Sequence, residues 1–227
     1  MVALAVGRLD HRASGALVGW LAFVAIFSTL NYASRFSGPS PPKDVAYRWE
    51  SSIGALIQFG VVLAIVLLLA RGRSKKEFFA LRQPTSWGLA ATISIVVIVV
   101  ILLIAQALAP FADPESEQGL IPTHWDPDRV AQFAAFAFAV TIVGPVVEEL
   151  MFRGAGFSLL EPFGRWAAVI GSGVAFGLVH GLIEGLPIIT AFGLGLAYLR
   201  SRTQSLYPCM LLHASFNAAG LALGLTT

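Results

Sequence analysis

Apolar runs long enough to cross a lipid bilayer, separated by short charged or Pro-rich breaks, restrict this chain more than any other feature. A bilayer core about 30 Å thick takes roughly 20 apolar residues per helical span. Such runs fall near 13–33, 52–70, 86–109, 131–158, 165–183, 186–199 and 205–224. They predict an all-α fold, a polytopic membrane helical bundle of about seven transmembrane helices. Composition agrees, with 56% hydrophobic and only 12% charged residues among 227 and a mean hydropathy of +0.76. The first run is long for a signal-peptide core and lacks a small-x-small cleavage site before a soluble domain, so it reads as a retained span.

The net charge of +2 does not point to nucleic acid, because the basic residues sit in short breaks beside spans, where topology explains them. Arg71, Arg73, Lys75, Lys76 and Arg82 face a lone Glu77 in the strongest basic break, which is expected to be cytoplasmic. Alternation then places Arg8, Arg12, Arg153, Arg165, Arg200 and Arg202 on or nearest that side, against Arg35, Lys43, Arg48 and Arg129 on the other. The expectation is a multi-pass protein of the cell membrane with a cytoplasmic N-terminus. The acidic stretch from Phe111 to Val130 becomes an outside loop, and its His124 an ordinary surface histidine. One cysteine, Cys209, excludes an internal disulfide.

Ionisable residues enter the spans only after about residue 130, dividing the chain into packing spans (1–129) and a polar core (130–227). The first three spans, with occasional polar residues such as Gln58 and Gln106, read as lipid-facing elements. In the core, Glu148, Glu149 and Arg153 stand within a stretch otherwise apolar from Val130 to Leu160. An unpaired charge there costs several kcal/mol or more, so the three must pair, neutralise or meet water. Glu149 and Arg153 are one helical turn apart in the order that favours an ion pair, which leaves Glu148, about 100° around the helix, as the freer carboxylate. His180 follows Phe176 by four residues, and His213 and Asn217 repeat that spacing. At 1.5 Å per residue, Glu148, His180 and His213 lie about 18, 22 and 12 Å from the basic-loop ends of their spans, provided that the helix continues to Leu160. They can meet at similar depth. Gly144 and Pro145 predict a kink one turn before Glu148 that makes room for water or a substrate carbonyl.

Amide hydrolysis requires an activated water, a proton donor for the leaving nitrogen and donors for the oxyanion. Glu148 and His180 suit the first task, while His213 and Asn217, as neutral donors, suit the last, with Glu149 and Arg153 positioning the carboxylate. A zinc ion held by Glu148, His180 and His213 is a second arrangement. Cys209, four residues before His213, offers a thiol–imidazole dyad. No aspartate falls in a predicted span and no H-E-x-x-H occurs, which removes two other peptidase designs. Ser172, in G-S-G, lacks the spacing of a nucleophile elbow. A buried network that only locks helices together, or a proton path in a transporter, uses the same residue types.

Three motifs occur in order: EELMFR at Glu148–Arg153, FGLVH at Phe176–His180 and HASFN at His213–Asn217. With them the sequence resembles the CPBP family, the CAAX-prenyl protease type II and bacteriocin-processing group of intramembrane glutamate proteases. The resemblance covers roughly residues 130–225. It implies an intramembrane endopeptidase in which Glu148 and His180 activate water, His213 and Asn217 form the oxyanion hole, and Glu149, Arg153 and Phe176 support them. Cofactors are not required by that mechanism, although zinc is possible. The implied partners are membrane lipid and a peptide or membrane-protein substrate, reached through a site facing the cytoplasm.

Overall fold

The computed structural model describes residues 11–37, 44–111, 122 and 124–225, and every regular element among them is helical. Arg8 and Lys43 of the charge reading, and positions 112–121 and 123 of the acidic loop, lie outside the described residues. Helices α1 (His11–Ser37), α2 (Trp49–Leu69) and α4 (Trp87–Leu108) are long and apolar, with the short α3 (Lys75–Phe78) between the last two. Ile57, Val61, Leu68, Ile95, Leu102 and Leu103 point outward from α2 and α4. Exposed apolar side chains along the length of two such helices suit contact with lipid.

Helix α5 (Pro127–Phe163) completes the set of four described helices that are long and apolar enough to cross a bilayer. It is followed by α6 (Arg165–Leu178), α7 (Leu186–Thr203) and α8 (Tyr207–Gly224). The helical membrane bundle is as expected, but these last three are shorter or more polar than free-standing spans. Protein surrounds α7: Phe192, Leu196 and Leu199 are wholly buried. A helix wrapped by protein can carry the buried Arg200 where a lipid-facing one cannot.

Helix α5 is the axis of the bundle, touching α1, α2, α6, α7 and α8. Around Gly144 and Pro145, where a kink is expected, the helix runs on and widens into π-helical stretches at Ala139–Val143 and Leu150–Gly156, on either side of the α-helical turns that carry Glu148 and Glu149. Proline removes one backbone donor, and a wider turn is one way to absorb the loss without breaking the helix. Widening leaves carbonyls to be satisfied from outside. Asn217 Nδ2 donates to the Val140 carbonyl at 2.9 Å, and Trp20 Nε1 donates to the Met151 carbonyl at 3.1 Å.

Close helix approach depends on glycine in two places. A Cβ on Gly156 would lie 2.5 Å from the Trp20 ring, and one on Gly193 would lie 2.5 Å from the Gly173 carbonyl oxygen. Small residues therefore bring α1 onto α5 and α6 onto α7.

The basic break packs against the α7–α8 turn, with Arg82 Nε donating to the Gln204 carbonyl at 2.7 Å and Thr85 N to the Thr203 carbonyl at 3.0 Å. Ser158 Oγ near the end of α5 donates to the Phe78 carbonyl, so these segments share one end of the molecule. At the opposite end Arg129 bonds to Asp44 at 2.8 Å and to Asp126 at 2.6 Å, and the Tyr47 hydroxyl donates to the His124 carbonyl at 2.7 Å. His124 is exposed, as expected, and its ring stacks on Tyr47.

Candidate active site

Glu148 and Glu149 sit side by side on α5 and meet opposite surroundings. Glu149 is fully buried, and its Oε1 accepts from Arg153 Nη1 at 2.9 Å, the ion pair that helical spacing predicts. Arg153 is equally buried. Its Nη2 donates to the Gly193 carbonyl at 2.8 Å, and its guanidinium lies 4.2 Å from the centre of the Phe176 ring. Pairing, a carbonyl acceptor and an aromatic face together make a charge tolerable here. Glu148 retains 23% of its side-chain exposure and forms no ion pair with an arginine.

The two histidines converge on Glu148. His213 Nε2 lies 3.7 Å and His180 Nε2 4.0 Å from Glu148 Oε2. Both rings are anchored through the other nitrogen, His213 Nδ1 to Glu149 Oε1 at 2.9 Å and His180 Nδ1 to the Phe176 carbonyl at 2.6 Å. A carbonyl can only accept, and a carboxylate already paired with arginine also accepts, so each Nδ1 carries the proton and donates. When neutral, each ring turns an unprotonated Nε2 toward Glu148, and from Nε2 His213 donates only as an imidazolium.

Of the residues singled out in the sequence, Glu148, Glu149, Arg153, Phe176, His180 and His213 are brought together. Asn217 stands one turn further along α8, and its hydrogen bond runs to Val140 on α5 rather than to either carboxylate. Phe176 is wholly buried at the hub of the cluster, with ring centres 4.6 Å from His180, 5.5 Å from His213 and 5.4 Å from Phe152. His180 does not lie on a helix, as expected, but in the turn after α6, which ends at Leu178 because Gly181 takes a left-handed φ of +63°. That turn meets Arg35, near the end of α1 away from the basic loop.

The structure also corrects the view of the first spans as lipid-facing packing alone. Trp20 of α1 bonds to the widened part of α5, and Asn31, Tyr32 and Arg35 bond to the His180 turn. Phe192 was equally invisible in an apolar run, yet its ring lies 5.4 Å from His213. Cys209 donates to the Leu196 carbonyl, and the His213 Nδ1 is engaged by Glu149, so no thiol–imidazole dyad forms. Ser172 is buried and donates back to the Ala168 carbonyl.

Zinc requires donors about 2.0–2.2 Å from one shared ion. The two Nε2 atoms and the Glu148 carboxylate are suitable donors in kind. As arranged they do not close to that geometry, and no group of three or more His, Cys, Asp or Glu side chains among the described residues does so.

Fold and site together define a polytopic helical membrane protein built around a buried carboxylate–imidazole cluster. Residues 130–219 match the family described as "Type II CAAX prenyl endopeptidase Rce1-like", and this stretch contains every member of the cluster. A protein of Bacillus subtilis (strain 168) named "Putative membrane peptidase YdiL" is 27% identical over 185 residues, covering 78% of this chain and 73% of its own length. The chain belongs to the CPBP family, through its Rce1-like type II CAAX prenyl endopeptidase region, and over residues 11–163 also to the family described as "Alpha/beta-hydrolase family N-terminus". The second match stops short of His180 and His213, and the described residues hold no strand from which a hydrolase sheet is built. No solved structure matches the chain.

Proposed function

We propose that the protein is an intramembrane endopeptidase of the glutamate type, seated in the cell membrane with its basic loop and N-terminus in the cytoplasm. The observation that supports this most is the convergence of two imidazole Nε2 atoms on the one carboxylate in the cluster that is not paired with arginine. Separations of 3.7 and 4.0 Å are those spanned by a bridging water rather than a direct bond.

Glu148 accepts a proton from that water while His180 Nε2 orients it, and the oxygen attacks the substrate carbonyl carbon. The carbonyl π pair moves onto oxygen. Asn217 has one amide hydrogen beyond that given to Val140, and His213, present from the start as the imidazolium that the Glu149 carboxylate behind Nδ1 supports, donates from Nε2 and keeps its proton throughout. When the C–N bond breaks, Glu148 returns its proton to the leaving nitrogen. One water is consumed, and a carboxyl and an amine result. Glu149 and Arg153 act by position, and no step requires a metal.

A non-catalytic network is the competing reading, favoured by the fully buried Glu149–Arg153 pair. The two readings part in cells that produce the wild-type chain or its Glu148→Ala or His180→Ala variants. Comparative mass spectrometry of membrane-derived peptides is expected to show products that disappear in both variants. Identical peptide sets at equal protein abundance would reject the peptidase reading.

A further inference from the structure

Nothing in the apolar pattern of α1 assigns it a part in the chemistry, yet its last turns reach the turn that bears His180. Asn31 Nδ2 donates to the Val179 carbonyl, Arg35 Nε to the Gly181 carbonyl at 2.7 Å and the Tyr32 hydroxyl to the Leu182 carbonyl at 3.0 Å. These carbonyls flank His180 on both sides. They belong to the C-terminal end of α6 and the residues after it, where backbone acceptors lose their helical donors. Asn31 and Arg35 are one turn apart on the same face of α1. The approach is close, since a Cβ on Gly181 would lie 3.0 Å from the Asn31 backbone.

The same helix is tied to the carrier of Glu148. Trp20 Nε1 bonds to the Met151 carbonyl, three residues beyond Glu148, and Gly156 admits the Trp20 ring against α5. Glu148 and His180 stand on different elements, and the Nδ1 bond of His180 runs to Phe176 on its own element. That bond sets the ring's rotation. It does not fix the distance between the His180 turn and α5.

We propose that Asn31, Tyr32 and Arg35 are positioning residues that hold the His180 imidazole at its working distance from Glu148, making α1 a brace between the two halves of the water-activating pair. The proposal rests on the assignment of Glu148 and His180 to that pair. An error of about 1 Å in such a placement can lower turnover about 100-fold without changing what the substrate touches.

The test uses the full chain in lipid vesicles, with a peptide whose release in cells depends on Glu148. Asn31→Ala/Arg35→Ala is expected to lower kcat by about 10- to 100-fold with KM within about twofold. Arg35→Lys in place of Arg35→Ala keeps a donor and recovers most of the loss. A second readout needs no substrate: diethyl pyrocarbonate should modify His180 several-fold faster in the double variant, relative to the exposed His124 in the same molecule. If the double variant melts early, Asn31→Ala and Tyr32→Phe singly carry the same measurements. Unchanged kcat, or a rise in modification shared equally by His124 and His180, overturns the proposal. Glu148→Gln serves as the control. If it retains activity, the water-activating assignment itself fails; if it is inactive while the α1 variants match wild type, only the brace fails.

Discussion

Neighbouring carboxylates on one helix have taken opposite parts, and their surroundings decide which. Glu149 is sealed between Arg153 and His213, whereas Glu148 keeps an open edge between two imidazoles. Removing one member of a buried pair strands the other charge, so Arg153→Met should destabilise the protein by about 3–5 kcal/mol. Thermal unfolding in detergent, followed beside a Glu148→Gln variant that should melt at or above the wild-type temperature, checks both expectations. The Glu149–Arg153 pair was legible in the sequence because both residues lie on one helix, four apart. The proton on His213 Nδ1 was not, because the partner that fixes it arrives from α5, 64 positions earlier. Phe192 carried no signal at all, being one aromatic among the apolar residues of its run.

At the scale of helices, the widened turns of α5 and the close contact of α6 with α7 set where the site residues stand. Gly193 contributes twice, through the absence of a side chain against Gly173 and through the carbonyl that receives Arg153 Nη2. Gly193→Ala should therefore force α7 away from α6 and cost about 1–3 kcal/mol, with activity falling further than stability alone explains. Melting curves and turnover measured on one preparation separate the two effects. Periodicity located these helices well, because long apolar runs leave few alternatives. It missed the π-helical turns and the early end of α6, where Val140, Met151 and Gly181 find partners in other helices. The apolar run continues past His180, and the left-handed Gly181 that ends the helix is only one of several glycines nearby.

Over the whole molecule, the first spans and the polar core are in contact, since α1 touches both α5 and the His180 turn. The ends are better separated. Arg129 lies between Asp44 and Asp126 at the end away from the basic loop, and its hydrogen bonds hold both carboxyls below their ordinary value of 3.8. Groups whose folded values are depressed stabilise fully above the ordinary value and lose that contribution as pH falls through the lowered one. The melting temperature should accordingly be flat above about pH 5 and decline below about pH 4, less steeply in Arg129→Gln. An equal decline in the variant would remove this cluster from the account. The central claim is that one free carboxylate drives hydrolysis within the bundle, and the most direct measurement is turnover of a processed peptide by purified wild-type and Glu148→Gln protein in vesicles. A loss of about 100-fold or more at an unchanged melting temperature is predicted; turnover within twofold of wild type would contradict it.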